Sequence, residues 1–425
     1  MHARMKTALG RMIGGPIRHR VSACVIALPL LLGSMAGAAA TQLPATRLPT
    51  SAEAPKLTRT VVMTGLQEPW DIAFTPDGAM LFTEKCRGLS ARLADGKTVR
   101  LFGTSGSSTL APDVFCQGQS GVHGVAIDPD FAKGTRDIYV YMASSLRKPA
   151  TNRVVRLTLN ADYTSVGNRH DIIEDIPYKD GPNGAGAAGA HSGGRIRFGP
   201  DRFLYVTTGD NHSAALPQDL RRLGGKVLRV NRDGTAAPGN GTPAGGDPRI
   251  FTYGHRNVQG ISFRPAGRPN AGQPFTAEHG PNHSDEVTPL VAGANAGWDP
   301  QNRPALRCPD DYCGYAGDPT TMPMTDRQRF PNAMPPSWVH NGDGRGMDSA
   351  LFLDGNQWRG WNGRLLVSLM RGQRIVMLQL DARGMATNDG TLELPSTRTR
   401  TLVQGPDGNL YTANESGEIW RVAPR

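Results

Sequence analysis

Short apolar runs broken by polar turns recur along the chain, and outside the first 40 residues no amphipathic helical pattern competes with them. A run rich in β-branched and aromatic residues leads into a Pro-Asp turn, and a second such run follows. Clear copies are Ile72-Ala-Phe-Thr-Pro-Asp-Gly78 leading to Met80, and Val125-Ala-Ile-Asp-Pro-Asp130 leading to Ile138. Ile196-Arg-Phe-Gly-Pro-Asp201 leads to Phe203, and Leu402-Val-Gln-Gly-Pro-Asp-Gly408 leads to Leu410. Degenerate copies stand at Ile261-Ser-Phe-Arg-Pro265 and Leu351-Phe-Leu-Asp-Gly355. Proline presets one turn dihedral, Asp or Gly tolerates the next, and the flanking strands pair across the turn.

The turns fall at positions 77, 130, 201, 265, 354 and 407. Six units of this length, each with room for several strands, predict an all-β fold, a six-bladed β-propeller. Thr60–Met63 and Glu418–Val422 are expected to share one blade and close the ring, leaving no open sheet edge. A β-sandwich with appendages is the alternative. Gln218–Leu223 is the one stretch expected to form a short helical turn. In a propeller, loops at one end of the channel converge, so a site there draws on residues far apart in sequence.

Composition sharpens this picture. Gly (52) and Pro (33) make up a fifth of the 425 residues without a collagen period, as many turns require. Residues 1–40 read as a secretory signal peptide. Arg4, Lys6, Arg11, Arg18 and Arg20 precede an apolar stretch, Val21 to Leu32, which is too short for an ordinary membrane span, and Ala38–Ala40 offers a cleavage site. Residues 41–57 read as a flexible Pro/Ala/Thr-rich linker and 58–425 as the propeller. Without the leader the net charge of +10 falls to about +5, a solvated surface rather than a nucleic-acid footprint. Four cysteines then remain. Cys308 and Cys313 are close enough to close one loop, which leaves Cys86 with Cys116; a zinc site is the weaker reading.

Candidate chemistry lies just outside the strands. His191, in His-Ser-Gly-Gly-Arg195, precedes one strand, and Asp210 follows the next, so a strand, turn and return would set them side by side. A carboxylate there fixes the imidazole tautomer and raises its basicity, as a general base needs. Arg256 and Asn257, in Tyr253-Gly-His-Arg-Asn, offer a guanidinium for oxyanion charge. Glu278-His-Gly-Pro-Asn-His-Ser-Asp-Glu286 offers backbone carbonyls at Gly280 and Pro281 and carboxylates at Asp285 and Glu286. These are hard oxygen ligands that suit Ca2+. Arg398 and Arg400 alternate on a strand and suit a polycarboxylate. Gln119, in Gly118-Gln-Ser-Gly121, is a further polar candidate. Dinucleotide, Walker and serine-hydrolase motifs are missing.

Taken in order, Glu68-Pro-Trp-Asp-Ile-Ala-Phe74, Gly118-Gln-Ser-Gly121, His191-Ser-Gly-Gly-Arg195, Tyr253-Gly-His-Arg-Asn257, Glu278-His-Gly-Pro281, Asn295-Ala-Gly-Trp298 and Gln404-Gly-Pro-Asp-Gly408 resemble the soluble quinoprotein sugar dehydrogenases. This glucose/sorbosone dehydrogenase family is matched from about residue 66 to 424. The resemblance implies a six-bladed propeller that uses pyrroloquinoline quinone (PQQ) and Ca2+ to oxidise the C1 hydroxyl of an aldose to a lactone. It implies His191 as the base, Asp210 as its orienting partner and Arg256 at the reducing quinone oxygen. Asn257, Gln119, Arg398 and Arg400 would hold the cofactor. Gly280 and Pro281 would bind Ca2+ through their carbonyls, with Asp285 and Glu286 at positions associated with calcium. Where many relatives carry Ser-Leu-Lys, this chain has Ser368-Leu369-Met370-Arg371, so Arg371 is the substitute cation, although a one-residue shift on a strand turns it to the other face. Thr401 stands where relatives often carry Asp. The expected setting is periplasmic or secreted, with an aldose substrate, an electron acceptor the sequence does not name, and no membrane span. A non-enzymatic extracellular binding module and a Ca2+-dependent lactone hydrolase are the competing readings.

Overall fold

A computed structural model describes residues 54–181, 186–303, 308, 311–315, 322–340 and 345–425. The expected signal peptide and residues 41–53 of the expected linker lie outside the described residues. Among the described residues, six antiparallel sheets carry the fold, five of four strands and one of five, whose short added strand Thr109–Leu110 pairs in parallel. The blades span residues 69–110, 122–177, 196–253, 258–339, 347–392 and 399–424. Within each blade the strands follow sequence order. The sixth is completed by Leu57–Met63, which pairs with Glu418–Pro424 at Val61 opposite Trp420. The ring thus closes as the sequence predicts, and the first strand starts one residue inside the expected linker.

All six repeat turns occupy the same place. Asp77 lies between Pro69–Phe74 and Met80–Glu84, and Asp407 between Thr399–Gln404 and Leu410–Asn414; the other four likewise join the first and second strands of a blade. The Asp side chains hold the returning strand: Phe203 N donates to Asp201 Oδ1 (3.3 Å) and Asn409 N to Asp407 Oδ1 (3.1 Å). Gln218–Leu223, expected to be helical, is a run of turns instead. Lys226 Nζ donates to the carbonyls of Leu216 (2.7 Å) and Gly224 (2.6 Å), which flank this stretch and turn towards the buried ammonium.

The apolar core is a ring of layers between neighbouring blades. Leu81 and Leu89 meet Val125 and Val140; Tyr139 and Val154 meet Ile196 and Leu228. Tyr205 and Val227 meet Val258 and Ile261; Phe275 and Val287 meet Leu365 and Val367. Leu366 and Met377 meet Leu402 and Leu410, and Ile72 and Phe82 meet Ala413 and Ile419. Each such Leu, Ile or Val contributes about 1.5–3 kcal/mol by leaving water.

Arg195 plugs the channel and ties four other blades together. Its guanidinium pairs with Asp71 (2.6 Å) and donates to the Gln259 carbonyl (3.0 Å), Asp348 carbonyl (3.3 Å), Thr401 Oγ1 (3.2 Å) and Arg400 carbonyl (3.0 Å). Its carbon lies 4.1 Å from the Trp70 ring centroid. Burial pushes Arg195 down to about 10, still charged at neutral pH. Burial raises the Asp71 carboxyl, but Arg195 and Arg197 outweigh it and hold it below the usual range. Thr401 fills the place of the relatives' Asp by donating to Asp71 Oδ1 (3.0 Å).

Both expected disulfides are formed, Cys86–Cys116 and Cys308–Cys313, with Cα separations of 5.1 and 5.3 Å. They consume all four cysteines among the described residues, which removes the zinc reading.

Candidate active site

In an antiparallel blade, the start of the first strand and the end of the second lie at one end, opposite the turn that joins them. Polar residues gather at those two positions. Gln119, His191, Arg256 and Arg398 sit just before or at the start of first strands. Lys85, Asp210, Gly280, Arg371 and Glu415 sit just after second strands. The chemistry is therefore at the end opposite the Pro-Asp turns.

There a cavity of about 620 Å³ opens onto the channel. Of the candidates named from sequence, Gln119, His191, Arg256, Asn257, Gly280, Pro281, Arg371, Arg398 and Arg400 line it. Asp210 sits behind His191, fully buried. Asp285 and Glu286 do not line it.

His191 Nδ1 is 2.7 Å from Asp210 Oδ1. The approach depends on Gly209, where a Cβ would collide with the His191 carbonyl. Asp210 also accepts from Trp298 Nε1 (2.8 Å), Tyr312 Oη (2.9 Å) and the His212 backbone N–H (3.0 Å). Burial holds the Asp210 carboxyl above its ordinary value, although Arg256, His212 and the donors Trp298 and His212 N–H act against it. Independently of His191, Trp298 Nε1 and the His212 N–H can only donate and occupy one oxygen each, and Tyr312 Oη adds a third donor, a setting that favours the carboxylate. Any basicity that Asp210 lends His191 is outweighed. Burial, then the charge of Arg256, pushes His191 well below the ordinary imidazole range. The resting side chain is a neutral imidazole, the form a base must have.

Arg256 is buried and anchored at two nitrogens: Nη1 donates to the His279 carbonyl (3.0 Å) and Nη2 to Tyr315 Oη (2.8 Å), while Nε is buried without a partner. Glu278 holds its backbone by accepting from the N–H of Arg256 and of Asn257 (3.2 Å). Asn257 Oδ1 accepts from Gly193 N (3.2 Å), and Gln119 Oε1 from His191 N (3.2 Å).

Asp285 shapes the Gly280-Pro281 loop. Its oxygens accept the N–H groups of Gly280 (2.8 Å), Arg345 (2.5 Å) and Gly346 (2.8 Å). Glu286 accepts from Thr325 Oγ1 (2.7 Å), and burial pushes its carboxyl up to about 8. No hydrogen bond among the described residues ends on the Gly280 or Pro281 carbonyl. Asp348, which also lines the cavity, has a buried Oδ2 without a partner. Among the described residues no three His, Cys, Asp or Glu side chains cluster for a metal. Bare carbonyls and one bare carboxylate oxygen form the donor set here, and they fit a hard cation such as Ca2+.

Five cations line the cavity (Lys85, Arg256, Arg371, Arg398 and Arg400) against three carboxylates (Glu68, Asp348 and Glu415). That surplus and the orphaned Arg256 Nε fit a polycarboxylate such as PQQ. Arg400 pairs with Asp348 (2.9 Å) and Glu415 (2.6 Å), and Arg398 with Glu415 (2.5 Å). The expectation that a one-residue shift turns Arg371 away is corrected. The strand Leu365–Leu369 has already ended, and Met370 and Arg371 donate backbone N–H to the Gly346 (2.8 Å) and Arg345 (2.7 Å) carbonyls. Strand alternation no longer applies, and both residues line the cavity.

Sequence reading missed His212, whose Nε2 lies 2.8 Å from His191 Nε2, and the buried Trp298 and Tyr312 that hold Asp210. The run Gly209-Asp210-Asn-His212 carried a signal for His212. Trp298 stood in the Asn295-Ala-Gly-Trp298 motif, but nothing local tied it to Asp210, 88 positions away, and nothing marked Tyr312, 102 positions away.

Known proteins are similar to this chain in sequence and fold. Aldose sugar dehydrogenase YliI of Escherichia coli is 26% identical over 369 residues, which cover 86% of this chain and 92% of that protein. Quinoprotein glucose dehydrogenase B of Acinetobacter calcoaceticus is 28% identical over 288 residues, covering 60% and 54%. The PQQ-bound aldose sugar dehydrogenase of Streptomyces coelicolor superposes with a TM-score of 0.65 at 26% identity, over 88% of this chain and all of that one. The Glucose / Sorbosone dehydrogenase family model matches residues 66–421, nearly the whole propeller, and the chain belongs to that family.

Proposed function

We propose that the protein is an exported PQQ- and Ca2+-dependent sugar dehydrogenase that oxidises the C1 hydroxyl of an aldose to the lactone. One observation carries this reading: a neutral, buried imidazole, fixed by a carboxylate, faces a cavity whose lining carries a surplus of guanidinium and ammonium groups. The named PQQ-bound and quinoprotein relatives support it.

Gln119, Asn257, Arg371, Arg398, Arg400 and Arg256 would hold the cofactor, and the Gly280 and Pro281 carbonyls, with Asp348 Oδ2, the calcium. Bound PQQ supplies a two-electron acceptor for the C1 hydride, and Ca2+ supplies Lewis-acid polarisation. The chain's own residues do the rest. His191 Nε2 takes the C1 hydroxyl proton, and Asp210 stabilises the imidazolium that results. Arg256 places fixed positive charge where negative charge develops, at little cost of reorganisation because Nη1 and Nη2 are already anchored.

Export is supported by the leader pattern and by two disulfides, which persist in oxidising compartments. A periplasmic or secreted location follows from that reading. No helix of the described residues is long and apolar enough to cross a membrane.

The test is a titration of the apo-protein with PQQ in Ca2+, followed by absorbance as aldoses are added. Saturable binding and sugar-driven reduction are expected. Absence of PQQ binding would favour the binding-module reading, and lactone hydrolysis with Ca2+ alone would favour the hydrolase.

A further inference from the structure

Both ring nitrogens of His191 are engaged before any sugar arrives. Nδ1 faces Asp210 and Nε2 faces His212 Nε2, at 2.7 and 2.8 Å. Because Asp210 acts as a carboxylate, His191 Nδ1 carries the hydrogen and Nε2 the lone pair. Burial, then the charge of neighbouring groups, keeps both rings neutral, His212 being pushed down to about 3. A 2.8 Å contact between two neutral imidazole nitrogens needs one hydrogen between them, and that hydrogen must sit on His212 Nε2.

The base's lone pair is thus occupied by a neighbour's N–H. That N–H has a second acceptor, since Tyr315 Oη lies 3.1 Å from the same nitrogen. His212 is held edge-to-face on His191 (3.8 Å between centroids) and stacked on Tyr312 (5.0 Å). Its Nδ1 is buried without a partner against Gly186, where a Cβ would collide with the ring. No hydrogen bond at Nδ1 anchors the ring, so a tilt that carries the N–H from His191 towards Tyr315 breaks no other hydrogen bond.

We propose that His212 is a positioning residue: it holds the lone pair of the base while the site is without sugar, and the C1 hydroxyl displaces its N–H onto Tyr315. This rests on the dehydrogenase reading above. No proton changes owner in the exchange. The His212 N–H changes acceptor from His191 Nε2 to Tyr315 Oη, and the sugar O–H becomes the donor to His191 Nε2. The sugar therefore competes with an internal donor, and the site gives up part of its affinity to keep the base aimed.

The experiment has two arms. In apo-protein with 15N-labelled histidine, a scalar coupling between the two Nε2 nuclei is expected, with the hydrogen on His212. In the PQQ-loaded enzyme, His212→Phe keeps the ring but removes the donor, and should lower KM for the aldose by about 2- to 10-fold, the size of one net hydrogen bond. Its kcat should not rise in proportion. His212→Gln, which restores an N–H, should return KM towards the wild-type value. An absent coupling, a hydrogen on His191 Nε2, an unchanged or raised KM, or a Gln variant that behaves like Phe overturns the role of His212 alone. Should the Phe variant not fold, the coupling and the Gln variant still decide. If no aldose reduces the loaded wild-type enzyme, the dehydrogenase reading falls and this role with it.

Discussion

Asp210 Oδ1 lies 2.7 Å from His191 Nδ1, and the two are joined through a strand, a Pro-Asp turn and a return strand of one blade. The hairpin register sets that distance: Ile196 pairs with Val206, which returns the chain to the level of His191 four residues later. Asp210→Asn keeps the shape but can donate to Nδ1, which favours the wrong tautomer of His191. In the PQQ-loaded enzyme, kcat should fall by about 10²- to 10⁴-fold, while PQQ affinity measured by absorbance titration stays within a few-fold. An unchanged kcat would remove Asp210 from the mechanism.

The buried neutral histidines set a pH dependence. Burial pushes His123 and His212 each to about 3, and His191 well below 6.5. Below 6.5 the unfolded chain takes up protons that the folded protein refuses. Stability therefore falls as pH drops from about 6.5 towards 3 and is level above that window as far as these groups are concerned. Thermal melts from pH 7 to 4 should show a falling Tm. His123→Phe, which preserves the ring between Trp70 (4.5 Å) and Tyr141 (5.8 Å), should flatten part of that slope. An identical slope in the variant would show that His123 is not one of the groups responsible.

Met370 and Arg371 both reach the cavity, so the family lysine can be restored without moving the loop. Met370→Lys should tighten PQQ binding by about 10-fold, the worth of one charge-assisted hydrogen bond. Arg371→Ala should weaken it by a similar factor. Equilibrium titration of both variants checks this. Equal affinities in all three proteins would mean that neither position touches the cofactor.

Cys86 and Cys116 are 30 positions apart in sequence and lie one and three positions from two cavity residues, Lys85 and Gln119. The paired Cys86→Ser, Cys116→Ser variant should lose about 3–4 kcal/mol of unfolding free energy in the chain-entropy account. Urea unfolding of the oxidised wild type against the variant measures it, and equal midpoints would refute the estimate.

Much of this was legible in the chain. Five Pro-Asp or Asp-Gly turns and one Pro-Ala-Gly turn at Pro265 encode six hairpins because turn chemistry is local: proline's fixed dihedral and an Asp side chain or Gly act within four residues. Ring closure was legible because Thr60–Met63 and Glu418–Val422 had no other blade to join. The cavity residues Gln119, His191, Arg256, Asn257, Arg398 and Arg400 were legible because a propeller collects strand starts and ends at one mouth.

Other features required the packed structure. The sign of the His191 shift depends on burial and on the distance to Arg256, which are three-dimensional quantities; the sequence suggested a more basic histidine and the fold made it less so. Arg371 reaches the cavity because the strand stops at Leu369, a boundary that the apolar pattern did not mark. Asp285 serves backbone N–H groups 60 and 61 positions away, and His212 meets His191 only because two loops converge. The sequence by itself determined the number of blades, the closure of the ring and the residue types at its mouth, since periodic turns and strands are set by short-range sterics. Only the tertiary structure decided which carboxylates face the cavity, which imidazole is neutral and which nitrogen is free, since each depends on desolvation and on atoms brought together from distant blades.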